Sequence, residues 1–301
     1  MERETGPAYG GVRQEGAIDV RPPGLSGRLL FHLLPVRRRI VLENMRRAFG
    51  GKIPQEGIVR LAQAFYGHAA RSVLECLWVP WLSERRRRDL VRIENTEAVL
   101  EAAARGKGVL ILTGHLGNWE IAPVLGMAGF PQYRGRFHIL RRPTRFRWFE
   151  GFATRRFERA GIHVIPKEGS LPVILDRLAA GDAVVFILDQ HASRKDGVRT
   201  TFFGQPVSTF RSLAVIALAT GAPVVPAASW REGSGRHVLR FEAALPLIEK
   251  DDANEAIRAN TQLYNDALER LVERHPEQWF WLHRRWRAPV APACRDEGAG
   301  S

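Results

Sequence analysis

Residues 109–125 read VLILTGHLGNWEIAPVL, an apolar run that passes through a glycine-flanked histidine into a helix-like segment. The first five residues are the β-branched and leucine-rich type that suits a strand buried on both faces. Gly114 and Gly117 then permit tight turns or close approach of another group. Asn118 is a natural helix N-cap, which predicts a helix over about 119–128 with Glu120 in its first turn. His115 and Glu120 thus stand five residues apart at a strand-to-helix junction.

That spacing alone is weak. Nine histidines occur in the chain, and four have an acid five residues later: His115/Glu120, His163/Glu168, His191/Asp196 and His237/Glu242. His237 and Glu242 fall within one predicted strand, so a rise of ~3.3 Å per residue separates them by roughly 16 Å on opposite faces. His163 begins a short strand followed by a Pro166–Gly169 turn. His191 follows the strand-like AVVFILDQ, where ligand sites of α/β sheets gather, but Asp196 belongs to the polar segment SRKDGVRT. Two positions inside one helix five residues apart diverge by about 140°, whereas a histidine before the helix can face a glutamate in its first turn. Two readings of His115 stay open at this point. In one, Glu120 orients a catalytic imidazole; in the other, a buried histidine caps the following helix.

The same texture extends from 108 to 245. Strand-like runs at 109–113, 136–140, 162–165, 183–188, 223–229 and 237–243 alternate with helical runs near 119–128, 146–160, 170–180 and 209–220. Such alternation predicts an α/β fold with a mixed, mostly parallel central sheet flanked by helices. Helical spacing returns at 253–274, through Ile257, Tyr264, Ala267, Leu268 and Leu271, and Pro276 stops it. Upstream, 26–49 and 56–82 read as helices. Leu29, Leu30, Phe31, Leu33 and Leu34 followed by Arg37, Arg38 and Arg39 suit either a helix in a membrane interface or a core helix with a solvated basic end. The expected organisation is a flexible tail at 1–24, an N-terminal helical membrane-associating segment at 25–90, an α/β domain at 91–288 and a second tail at 289–301.

The 301 residues carry a formal charge of +13, with a pI near 10.8 and 45% hydrophobic residues. A globular protein with an anionic partner fits those values. No familiar nucleic-acid motif accompanies the charge, so nucleic acid is not the expected partner. Two cysteines, Cys76 and Cys294, form neither a disulfide framework nor a zinc-ligand cluster, and no metal is expected. The apolar stretch at 25–36 is shorter than the ~20 residues a transmembrane helix needs. No signal-peptide pattern, P-loop, Gly-x-Ser-x-Gly or Gly-x-Gly-x-x-Gly element competes with His115.

TGHLGNWE at 113–120 resembles the His-x4-Asp/Glu motif of the lysophospholipid acyltransferase superfamily, specifically the bacterial lipid A biosynthesis (late) acyltransferases. Similar landmarks follow in order over approximately residues 28–287: RRRIVLENMRRAFG, ILRRP, ERAGIHVIPKEGS, VVFILDQ, FFGQPVSTF, LATGAPVVPA and PEQWFWLHRRWR. The resemblance implies transfer of a fatty acyl chain to a hydroxyl of a lipid A precursor or similar glycolipid. Another glycolipid or a lysophospholipid is the alternative acceptor. It implies no cofactor, with acyl-acyl carrier protein or acyl-CoA as co-substrate. Acyl carrier protein and an anionic membrane are the implied partners, at the cytoplasmic face of the bacterial inner membrane, peripheral or monotopic. By the same likeness His115 is the general base, Glu120 its orienting partner, and Asn118, Arg142, Asp189 and Gln190 bind substrate. Two features depart from the family pattern: the first apolar stretch is short, and RRPTRFRWFEGF lacks the usual Asn-Pro pair after Arg-Pro. The arginines around 37–39, 141–147 and 284–287 suit phosphate contacts, and those at 85–88 read rather as a solvated charged face.

Overall fold

The structure is a computed structural model that describes residues 22–287 apart from 35, 142–146 and 234. The tail expected at 289–301 and all but the last three residues of the one at 1–24 lie outside the described residues, as does Arg142. Side chains at 128, 147–150, 152 and 153 are likewise outside the description.

Three helices come first: α1 (Leu25–Leu33), α2 (Arg38–Phe49) and α3 (Gln55–Trp78). The single helix expected over 26–49 is therefore two. Leu34 precedes a proline in sequence, a position steered away from helical geometry, and it takes φ −116° and ψ 82°. Arg37 then turns the chain through the left-handed region at φ 52°. Next come α4 (Glu84–Asp89), β1 (Val91–Glu94), α5 (Glu97–Ala103), β2 (Val109–Thr113) and α6 (Ala122–Gly126). β3 (Phe137–Arg141), α7 (Arg147–Ala160), β4 (Ile162–Pro166), α8 (Leu171–Ala179) and β5 (Ala183–Ile187) follow. The chain continues through β6 (Gly197–Phe202), β7 (Gln205–Phe210), α9 (Ser212–Thr220), β8 (Val224–Arg231), β9 (His237–Phe241) and α10 (Ala253–Arg274).

Seven strands form one sheet in the order β1-β9-β8-β2-β5-β3-β4, parallel throughout except between β8 and β9. The mixed, mostly parallel α/β fold is as the sequence predicts. Alternation along β2 sends Leu110 and Leu112 to one face and Val109 and Ile111 to the other. The first face packs on Phe49, Phe65, Leu213, Leu268 and Trp281, so helices from 25–90 share a core with the sheet. The second packs on Val99, Ala102 and Phe157 of α5 and α7. Among the described residues, no helix is long and apolar enough to cross a membrane.

β1 and the separate antiparallel pair β6–β7 were not anticipated. The pair turns on Phe203 and Gly204, both at positive φ (51° and 70°). That is a two-residue hairpin turn of the kind usually marked by Asn-Gly, and phenylalanine disguises it.

α3 is fastened to the sheet by a buried charge cluster. The guanidinium of Arg231 donates to both oxygens of Glu75 at 2.8 and 2.5 Å, and His237 Nε2 lies 3.2 Å from the same carboxylate. Burial pushes the Glu75 carboxyl up, but donors from His237, Arg231 and Asn118 win and hold it down to about 2. Burial, then Arg231, presses His68 down to about 3. The unfolded chain therefore takes up these protons first, and acid lowers stability. The His68 contribution begins to fade as pH falls below its ordinary 6.5, and that of Glu75 below its ordinary 4.5. Urea unfolding at fixed pH values should show stability decreasing across that window. Glu75→Leu strands Arg231 in the interior, with an expected loss of about 3–5 kcal/mol near neutral pH and a flatter response below pH 4.5.

Candidate active site

β2 and β5 are neighbouring parallel strands with Thr113 opposite Ile187, so their carboxyl ends emerge side by side. Two residues beyond each end stand His115 and Asp189. Asp189 Oδ2 accepts the backbone N–H of His115 at 2.6 Å, and Oδ1 lies 2.8 Å from His115 Nδ1. Trp279 donates its indole N–H to Oδ2 at 2.8 Å. A Cβ on Gly114 would meet Asp189 Oδ2 at 3.0 Å, and one on Gly117 would meet the Ser229 carbonyl oxygen at 2.3 Å. With Gly117 also at φ 65°, this loop has the shape only glycine allows there.

Asp189 is 1% exposed. Burial works to raise its pKa, yet the His115 ring and backbone N–H hold the carboxyl well below the usual range. An ionised carboxylate only accepts hydrogen bonds, so Nδ1 of His115 carries the proton. Nε2 is then the basic nitrogen, and it has no protein partner among the described residues. Trp119 and His283 stand edge-on to the imidazole at centroid separations of 5.0 and 4.9 Å. Burial, followed by the neighbouring His115, lowers His283 to about 4 and keeps it neutral.

Glu120 does not face His115. No hydrogen bond or ion pair joins the two; Glu120 accepts from Arg141 at 3.0 Å and from Arg156. Asn118 is buried and does not cap the next helix with its side chain. Its amide donates to the Ser72 carbonyl at 3.1 Å and to Glu75 at 3.0 Å. With that side chain committed to α3, residues 119–121 form a turn and α6 starts only at Ala122, with Pro123 in its first turn. Gln190 lines the cavity described below, and its backbone carbonyl accepts from Arg285 at 2.7 Å. Arg142, expected to bind substrate, lies outside the described residues. Asp189 as the partner of His115 was missed, although the Asp-Gln end of an apolar strand marked the position. Arg156 carried no signal among the arginines of α7.

The other histidine pairs part company. His237 is held by Glu75 rather than Glu242, which pairs with Arg240 and Arg274. His163 stacks on His138 at 5.3 Å, and Asp196 accepts from Ser193 at 2.7 Å. Trp279 and Trp281, residues that could have met a lipid interface, are buried.

His115, Trp119, Glu120 and Arg141 line a cavity of about 1550 Å³. Ordinary small-molecule sites occupy roughly 300–1,000 Å³. Its wall mixes apolar groups, among them Ile174, Phe186, Leu188 and Ile216, with several basic side chains. A base beside an apolar space of that size suits proton removal from a polar group on a substrate with a long hydrocarbon portion.

A model of the bacterial lipid A biosynthesis acyltransferase family matches residues 24–288, and the chain belongs to that family. It is an acyltransferase of the non-aminoacyl class. Among curated relatives, the phosphatidylinositol mannoside acyltransferase of Mycolicibacterium smegmatis is 24% identical over 84% of this chain and 82% of its own length. The protein of that name from Mycobacterium tuberculosis is 28% identical over 76% of this chain and 70% of its own. The lipid A biosynthesis palmitoleoyltransferase of Escherichia coli is 24% identical over 83% and 79%.

The position of Asn118 separates support from substrate contact. Asn118→Ala should lower unfolding stability by about 1–3 kcal/mol, because Glu75 loses a buried donor. Steady-state kinetics should show KM for both substrates within about twofold of the parent, a factor worth only ~0.4 kcal/mol.

Proposed function

We propose that the protein moves a fatty acyl group from a pantetheine thioester to a hydroxyl of a glycolipid at a membrane surface. The observation that carries this reading is His115: Nδ1 is locked by an ionised, buried Asp189, and the imidazole borders a large, partly apolar cavity. His115 Nε2 accepts the proton of the acceptor hydroxyl as its oxygen bonds to the thioester carbonyl carbon. Asp189 keeps the required tautomer and stabilises the imidazolium that forms. Collapse of the tetrahedral intermediate breaks the carbon–sulfur bond, and the departing thiolate takes the proton back from His115. The products are an ester and a free thiol. Glu120 serves this scheme by setting the guanidinium groups of Arg141 and Arg156 at the cavity, where they meet polar or anionic acceptor atoms.

Acyl carrier protein and acyl-CoA share the thioester this chemistry needs. The named relatives act on mannosylated phosphatidylinositol and in lipid A biosynthesis, which supports a glycolipid acceptor. Membrane contact on the cytoplasmic face fits α1, whose Leu25, Leu29 and Leu33 are exposed beside Arg28 and the basic residues 37–39. Apolar side chains flanked by cations favour an anionic interface.

Transfer from radiolabelled acyl-acyl carrier protein or acyl-CoA to glycolipid in mixed micelles tests the scheme. His115→Ala should abolish transfer while keeping its circular dichroism and melting behaviour. Asp189→Asn should reduce kcat by about 10²–10⁴-fold, the scale seen when a triad carboxylate is replaced. Glu120→Gln should act mainly on acceptor KM. A folded His115→Ala protein that still turns over normally would overturn the assignment.

A further inference from the structure

Lys195, Arg199, Arg211 and Arg287 all border the cavity that contains His115, and among the described residues none of the four forms an ion pair with an acid. Several cations elsewhere are paired: Arg92 with Glu94 and Glu232, Arg136 with Asp182, Arg240 with Glu94 and Glu242, and Arg274 with Glu242. Three acids line the cavity among the described residues: Glu120 is taken by Arg141 and Arg156, Asp196 accepts from Ser193, and Glu168 forms no ion pair with any of the four. Like charges lining one cavity raise the local potential and draw in an anion. His191, on the same wall, is held below its ordinary pKa, first by burial and then by Arg285 and Arg287.

The hairpin that carries two of these cations is anchored from within. Arg285 is wholly buried and bonds no carboxylate; it donates to the carbonyls of Gln190 and Ser208 at 2.7 and 3.1 Å, and to Thr209 and Asn265 at 2.8 and 3.1 Å. A buried charge costs stability unless its hydrogen bonds are met. Here those bonds tie the β6–β7 hairpin to the segment after β5 that carries Asp189 and Gln190. Asn265 adds bonds to Thr200 and Thr209 across the same hairpin. Arg199 on β6 and Arg211, which follows β7, therefore keep a fixed relation to His115. Arg211 also opens α9, nine residues long and without a side-chain cap, and the N–H groups of a helix start add to anion attraction.

We infer that Lys195, Arg199, Arg211 and Arg287 form a seat for a phosphate ester of the substrate bound in the cavity. The inference rests on the acyl-transfer reading above and extends it. A phosphate ester is common to two sources: the phosphopantetheine arm of the acyl donor and the headgroup of a phosphorylated glycolipid acceptor. Basic side chains lining the cavity suit its oxygens through charge-assisted hydrogen bonds.

The test compares the parent with Arg199→Gln, Arg211→Gln and the double variant, each first shown to melt like the parent. KM is measured for palmitoyl-CoA against phosphate-free palmitoyl-pantetheine, and for a phosphorylated glycolipid against its dephosphorylated form. Each lost contact should raise KM for one phosphorylated substrate about tenfold, and leave its phosphate-free counterpart unchanged. A rise confined to palmitoyl-CoA assigns the seat to the donor; one confined to the phosphorylated glycolipid assigns it to the acceptor. Both results support the seat. Unchanged KM for both phosphorylated substrates, or equal changes with and without phosphate, overturns it. Inorganic pyrophosphate binding, followed by calorimetry, decides independently of turnover. If the parent transfers no acyl group, the functional reading fails, yet weaker pyrophosphate binding by the double variant still supports the seat. Equal binding by both proteins overturns it.

Discussion

The contact between His115 and Asp189 depends on two strands, 74 residues apart in this respect, lying side by side and pointing the same way. Parallel pairing of β2 with β5 brings both carboxyl ends to one edge of the sheet, and the register places His115 and Asp189 the same distance beyond it. Ligand sites of open α/β sheets gather at this edge because the connecting loops can diverge there. Once Asp189 is buried and ionised, the proton on His115 sits on Nδ1, and the imidazole borders the cavity. The glycines at 114 and 117 are consequences of that contact. Their side chains would collide with Asp189 and Ser229.

Charges buried behind the site give it its shape. Glu75 and Arg231 bind α3 to β8, and Asn118 extends that cluster into the loop carrying His115. On the other side Arg285 binds the β6–β7 hairpin to the end of β5. Removing one partner from either arrangement leaves a charge in a low-dielectric interior, so both arrangements resist rearrangement of the loops they tie. Catalysis by a positioned base gains from such stiffness, since the geometry is set before substrate arrives.

Much of this was legible in the chain. Six of the seven sheet strands follow from apolar runs, and α10 from its helical spacing and the proline beyond it. The rest lacked a local signal. β1 is short and polar, and Phe203-Gly204 does not look like a hairpin turn. The expected helix at 119 starts late because Asn118, a good cap by chemistry, is drawn away by Glu75 on α3. Arg285, which reads as one more surface cation, is entirely inside.

The sequence alone therefore determined the class of fold and marked residues 113–120 as a candidate site. Periodicity and turn chemistry act over a few residues, and both survive in a linear text. Tertiary structure decided which carboxylate serves His115. Glu120 is near in sequence, but two arginines hold it; Asp189 is far in sequence, but strand order puts it against the imidazole. Strand order is settled by how two faces of a sheet bury their apolar side chains together, and no stretch of chain contains that information by itself.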